Sequence, residues 1–111
     1  AYRITKSNLK PGMIGKDINA VTHEFVTKQG YGKNIVCPFA HTIGLMEAEA
    51  PFFGPNSNDI LQAGMTVCVD VSVFSVPEAN GVRFESAFLI TDKGPEPLSP
   101  YMDQLILNTK V

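Results

Sequence analysis

"TVCVDVSVF", Thr66 to Phe74, is the stretch that decides the fold. Apolar and polar residues alternate through it without a break. Val67, Val69, Val71 and Val73 fall on one face, and Thr66, Cys68, Asp70 and Ser72 on the other. A period of two marks a strand with one face against a core. A second run, "GVRFESAFLIT" from Gly81 to Thr91, sets Val82, Phe84, Ser86 and Phe88 on one face and Arg83, Glu85 and Ala87 on the other. Between the two, "SVPEAN" is polar, holds a proline and ends against a glycine. The runs are therefore predicted to pair as an antiparallel hairpin with its loop at Ser75 to Asn80.

Symmetric pairing about that loop puts Phe74 opposite Gly81 and Asp70 opposite Glu85. Directly opposed residues hold their Cβ atoms about 4.5 to 5.5 Å apart, and like charges placed so destabilise the pair. At about 5 Å and an effective dielectric near 20, the repulsion is roughly 3 kcal/mol. A shared proton, a cationic side chain or a bound metal would relieve it. Arg83, on the same face as Glu85, is the side-chain candidate. A slip of one residue would carry one carboxylate to the other face, so the pairing depends on register.

Upstream of the hairpin the period changes. Lys10-Pro11-Gly12 reads as a turn, because proline presets φ and glycine accepts the positive φ that follows. Ile14, Ile18, Val21 and Phe25 then recur at helical spacing, which predicts a helix that buries this stripe and stops near Gly30. His23 lies off the stripe beside Glu24 and reads as a surface residue. The residues up to Leu9 read as the end of another helix. In "FAHTIGLMEAEAP", Phe39 to Pro51, His41 precedes a turn-prone Ile43-Gly44 step and is followed by Glu47 and Glu49. Taken alone, His41 reads as a core or turn residue. With the two hairpin carboxylates, Asp70 and Glu85, it becomes a common ligand set for a borderline divalent ion. If the run stays extended, Glu47 faces away from Glu49 into solvent. Phe52 and Phe53 read as core or as the wall of a pocket mouth, and "GPNSND", Gly54 to Asp59, as a loop.

Composition narrows the class. The chain has 111 residues, of which 44% are apolar, enough for one modest core and one domain. A net charge of -2 without a basic cluster leaves no footprint for nucleic acid or an anionic membrane. Small molecules or another protein are the expected partners. Cys37 and Cys68 lack the spacing of a zinc knuckle or a disulfide framework and are expected to be buried, reduced thiols in a cytoplasmic protein. No apolar run reaches the roughly 20 residues of a membrane helix. A start at Ala1 is expected of a processed or excised piece.

Four stretches together carry a family likeness: "LKPGMIGKDINA", "HTIGL", "LQAGMTVCVDVSVF" and "GVRFESAFLITDKG". In order and spacing they resemble the pita-bread family that includes methionine aminopeptidase, aminopeptidase P, prolidase and creatinase. The resemblance implies an α+β fold, the C-terminal half of a pita-bread domain, with a helix followed by antiparallel strands across residues 1–111. It implies His41, Asp70 and Glu85 as metal ligands, with Asp70 or Glu85 also moving the proton, and Glu49 and Arg83 at the substrate. The implied activity is metal-dependent hydrolysis of a C–N bond in a small substrate such as an Xaa-Pro dipeptide. One or two ions of Mn, Co, Fe or Zn would serve it. The family's upstream half would then be another chain or an excised segment, and a dimer is expected.

The sequence also departs from that pattern. Ala48 stands where the peptidases carry a second histidine, while Glu49 and Pro51 remain. Asp70 is one methylene shorter than the usual glutamate, at a site where distances matter to about 0.2 Å. Val71 and Ser72 replace a proline and a glycine. The two ligand aspartates of the family come from an upstream hairpin, and neither Asp17 nor Glu24 lies in such a context. The tail "LSPYMDQLIL" resembles the ending of the metal-independent creatinase branch, although Glu85 is retained where that branch has a histidine. The string around Asp70 loosely resembles a branch that cleaves dimethylsulfoniopropionate. A family member that keeps the fold only for binding is the remaining alternative.

Overall fold

The computed structural model describes residues 1–109. Helix α1 (Tyr2–Ser7) leads through the Lys10-Pro11-Gly12 turn to α2 (Gly15–Lys28), and a short 3-10 turn (Gly32–Asn34) follows. Five strands come next: β1 (Ala40–Thr42), β2 (Glu49–Phe52), β3 (Thr66–Phe74), β4 (Gly81–Thr91) and β5 (Gly94–Pro97). Helix α3 (Pro100–Asn108) ends the described chain. Its N-cap Ser99 accepts from the Met102 amide and Pro100 opens its first turn, the arrangement expected of a helix start. No helix among the described residues is long and apolar enough to cross a membrane.

The strands form one antiparallel sheet in the order β2-β1-β3-β4-β5. The central hairpin has the predicted bounds and register, with Phe74 opposite Gly81 and Asp70 opposite Glu85. Gly81 holds this register at the loop end. Its φ is +140°, and a Cβ there would meet the Val73 carbonyl oxygen at 2.6 Å and Phe74 Cα at 2.8 Å. Backbone on both sides leaves no room for a side chain.

The valine face of β3 and the Phe88, Ile90 end of β4 form the core with Tyr2, Leu9, Ile18, Val26, Phe39 and Phe53. Each fully buried valine or phenylalanine contributes roughly 1.5–3 kcal/mol, so this face fixes which side of the sheet the helices cover. Asp103 of α3 is buried beneath α1, where it accepts from the Tyr2 hydroxyl at 3.0 Å and pairs with Lys6 at 2.6 Å. That buried pair ties the two ends of the described chain together.

Helix α2 has the expected extent but turns a different face inward. Gly30, with φ +92°, follows the C-cap, and the amides of Gly30 and Tyr31 return to the Thr27 and Val26 carbonyls, closing the helix where predicted. Its buried side is Ile18, Asn19, Thr22 and Val26, whereas Val21 and Phe25 are exposed. The reason is polar. Thr22 shares a 2.8 Å hydrogen bond with Thr5, and Asn19 Oδ1 accepts from the Phe39 backbone amide at 3.2 Å. Residues with satisfied partners can be buried without penalty, which a stripe of apolar positions alone does not register.

The polar face of β3 is also buried. Cys68, Asp70 and Ser72 are no more than 6% exposed, so alternation here separates two buried environments instead of core from solvent. β1 ends at Thr42 and the chain bends through 43–48, so the extended course on which Glu47 was placed does not occur. Phe53 belongs to the core and Phe52 is half exposed.

Candidate metal centre

Three strands bring the acidic pair and the histidine together. β1 carries His41, β3 carries Asp70, and β4 carries Glu85 and Arg83, all on the face away from the valine core. His41 Nε2 lies 3.4 Å from Glu85 Oε1 and 3.8 Å from Asp70 Oδ2. His41 and Asp70 are buried, and the Glu85 side chain is 25% exposed. The other ring nitrogen, Nδ1, is 3.1 Å from the Thr42 carbonyl oxygen and donates to it. That bond holds the ring with Nε2 facing the two acids, the orientation of a ligating histidine.

Arg83 answers the repulsion expected of the carboxylates. Its Nη2 donates to Glu85 Oε2 at 2.7 Å and to Asp70 Oδ2 at 3.1 Å. The same nitrogen reaches Glu47 Oε1 at 2.9 Å, so Glu47 is exposed, as expected, yet paired. The three acids hold the Arg83 guanidinium above its ordinary range, with the Glu47 hydrogen bond the largest cause. Ser72 donates to Asp70 Oδ1 at 2.6 Å and so fixes the short carboxylate between a hydroxyl and a guanidinium.

Glu49 is not drawn into this cluster. Its Oε1 accepts from the Met46 amide at 2.8 Å and its carboxylate closes over Gly44, so it shapes the bend after His41. Thr42, beside it, donates to the Glu49 carbonyl at 2.7 Å.

The donor set fits a divalent ion. Nitrogen and carboxylate oxygen sit about 2.0–2.2 Å from zinc-like metals, so two neighbouring ligands stand roughly 3.0–3.5 Å apart. The His41–Glu85 separation of 3.4 Å falls in that range and the Asp70 distance is a few tenths beyond it. A further residue, not singled out from sequence as a site residue, stands with two of them, His41 and Glu85, in a group that does not include Asp70. Ligand atoms of His41, Cys68 and Glu85 all lie within 4.8 Å of one another. Burial, followed by the nearby Glu85 charge, pushes the Cys68 thiol up to about 12. The signal for Cys68 was present in the alternation, since it shares a strand face with Asp70. Cys37 is half-buried, and burial followed by Asp70 raises its thiol as well.

A model of metallopeptidase family M24 matches residues 2–92. The chain belongs to metallopeptidase family M24. It is 33% identical over 107 residues to the uncharacterised peptidase YqhT of Bacillus subtilis (strain 168), covering 96% of this chain and 30% of that protein. Among solved structures it resembles the Xaa-Pro dipeptidase from Bacillus anthracis, with 31% identity and a TM-score of 0.75 over 89% of this chain and 30% of that one. It also resembles the X-Pro aminopeptidase from Thermotoga maritima MSB8, with 25% identity and a TM-score of 0.78 over 87% of this chain and 27% of that one. The α+β pita-bread fold expected from the sequence is thus the fold of this M24 chain. The chain spans about three-tenths of the length of these relatives.

Proposed function

We propose that these residues form part of the active site of a metal-dependent peptidase acting on Xaa-Pro dipeptides or similarly small substrates. His41, Asp70 and Glu85 hold the ion in this reading. The observation that carries it is the convergence of His41 Nε2 on both carboxylates, 3.4 and 3.8 Å away, at a buried position where M24 membership implies divalent metal use. The dipeptidase and aminopeptidase names of the structural relatives support the substrate class.

A divalent ion, when bound, supplies Lewis acidity and a hydrolytic nucleophile at neutral pH. The protein's own groups do the rest. The Thr42 carbonyl sets the His41 ring, and Ser72 aims Asp70. Glu85 is the most exposed of the three ligand residues, so it is the carboxylate with access to a substrate and the one suited to take up and return a proton. Arg83 balances the acids while keeping 43% of its side chain exposed, which leaves it free to turn toward a substrate carboxylate or to Glu47. The further ligands and the substrate pocket belong, in this reading, to parts of the domain outside these residues.

Ala48 favours a second reading, metal binding without Xaa-Pro cleavage, because no imidazole stands there to steady a developing charge. Assay of the protein loaded with manganese, cobalt or zinc against Xaa-Pro dipeptides tests the two. Turnover that disappears in Glu85→Gln supports the peptidase. Stoichiometric metal with no turnover of any dipeptide supports the second reading.

A further inference from the structure

Cys68 takes no part in the function proposed above, yet it stands inside the site. His41 and Cys68 are direct partners between β1 and β3, so their side chains rise in the same row of the sheet. On β4 the residue opposite Cys68 is Ala87, whose single side-chain carbon leaves that row open. Glu85, two residues along the same face, reaches the space. The His41 ring nitrogen, the sulfur and a Glu85 oxygen come within 4.8 Å of one another, with Cys68 and His41 each 6% exposed. A cysteine placed for packing alone would be surrounded by apolar atoms. This one faces an imidazole and a carboxylate.

We propose that Cys68 is a metal ligand, its sulfur joining His41 and Glu85 in a mixed nitrogen, sulfur and oxygen site. The proposal rests on the metal-site reading above and adds a donor that decides which metal is preferred. On binding, the S–H bond breaks, its proton leaves to solvent and the sulfur's electron pair forms the bond to the ion, with no change of oxidation state. Thiolate is a soft donor, so the site favours zinc, cobalt and ferrous iron over manganese and magnesium.

The test is cobalt(II) binding to the purified protein stripped of metal, with bound cobalt measured by elemental analysis and the absorption spectrum recorded. The expected result is bound cobalt with a near-ultraviolet sulfur-to-cobalt charge-transfer band. Cys68→Ser then loses the band and binds cobalt roughly tenfold or more weakly, by analogy with the losses seen when groups supporting a metal site are removed. Cys37→Ser keeps both. Cobalt bound without the band, or a band that follows Cys37, overturns the role of Cys68 and leaves the metal site standing. No bound cobalt overturns the site and the ligand together. Should Cys68→Ser fail to fold, X-ray absorption at the cobalt edge of the unaltered protein decides the question. A sulfur neighbour at about 2.3 Å supports the proposal, and a shell of nitrogen and oxygen alone refutes it.

Discussion

Asp70 and Glu85 face each other across β3 and β4, and one nitrogen of Arg83 donates to both, at 3.1 and 2.7 Å. Two carboxylates so placed need a neighbouring cation, a role that guanidinium or metal can fill. Replacing Arg83 with methionine leaves Asp70 buried without its cation. Full burial of an unpaired charge costs about 3–5 kcal/mol, and the exposure of Arg83 and Glu85 brings the expected loss nearer 1–2 kcal/mol. Urea denaturation should show that loss without metal, and added zinc or cobalt should restore more stability to Arg83→Met than to the unaltered protein. Equal metal effects in both would mean that Arg83 and the ion do not act on the same acids.

The shortness of Asp70 is built into its surroundings. Its carboxylate is caught between Ser72 at 2.6 Å and Arg83 at 3.1 Å and is 4% exposed. Asp70→Glu, although it supplies the residue usual in the resembled family, should overpack the site at a cost of about 1–3 kcal/mol and weaken metal binding. Denaturant midpoints and a metal titration of the two proteins check this. A variant that is more stable and binds metal more tightly would show that the pocket was shaped for glutamate.

Gly81 carries the register on which the acid pair depends. Gly81→Ala drives a Cβ into the Val73 carbonyl and the Phe74 backbone at a φ that side chains avoid. A loss of about 1–3 kcal/mol is expected, together with weakened metal binding as Asp70 and Glu85 move out of opposition. Unchanged stability by denaturation would contradict this role.

Burial holds the Tyr2 phenol above its ordinary range, beside Asp103. The unfolded chain gives up that proton near pH 10, as a free tyrosine does, while the folded chain keeps it. Above about pH 10 the unfolded state therefore binds fewer protons, and stability falls as the pH rises, whereas below it Tyr2 has no effect on the pH dependence. Tyr2→Phe should lose about 1 kcal/mol at neutral pH with its hydrogen bond, yet decline less steeply from pH 9 to 11. Denaturation curves across that range would show parallel declines if Tyr2 ionised freely in the folded state.

The hairpin was legible because its signal is local. A period of two and a polar loop set both strands, the register and the meeting of Asp70 with Glu85. Arg83 was legible as their relief for the same reason, since it shares a strand face with Glu85. The buried face of α2 was not, because Thr22 and Asn19 are buried through hydrogen bonds to Thr5 and Phe39, residues distant along the chain. The contacts of Glu47 and Glu49 were hidden in a related way. The bend through 43–48 turns Glu49 onto the Met46 amide and Glu47 onto Arg83, and nothing in the alternation of "MEAEA" marks where the strand breaks. Cys68 lay on the site face throughout, but only the pairing of β1 with β3 sets it beside His41.

Metal binding at His41, Asp70 and Glu85 is most directly tested by elemental analysis of the purified protein after loading and desalting, beside His41→Ala and Glu85→Gln treated identically. The expected result is one or two equivalents of zinc, cobalt, iron or manganese in the unaltered protein and at least a tenfold loss of affinity in both variants. Retention of metal at full stoichiometry and affinity by both variants would place the ion elsewhere. Absence of metal from the unaltered protein would leave Asp70, Glu85 and Arg83 as an ion-pair network without a catalytic centre.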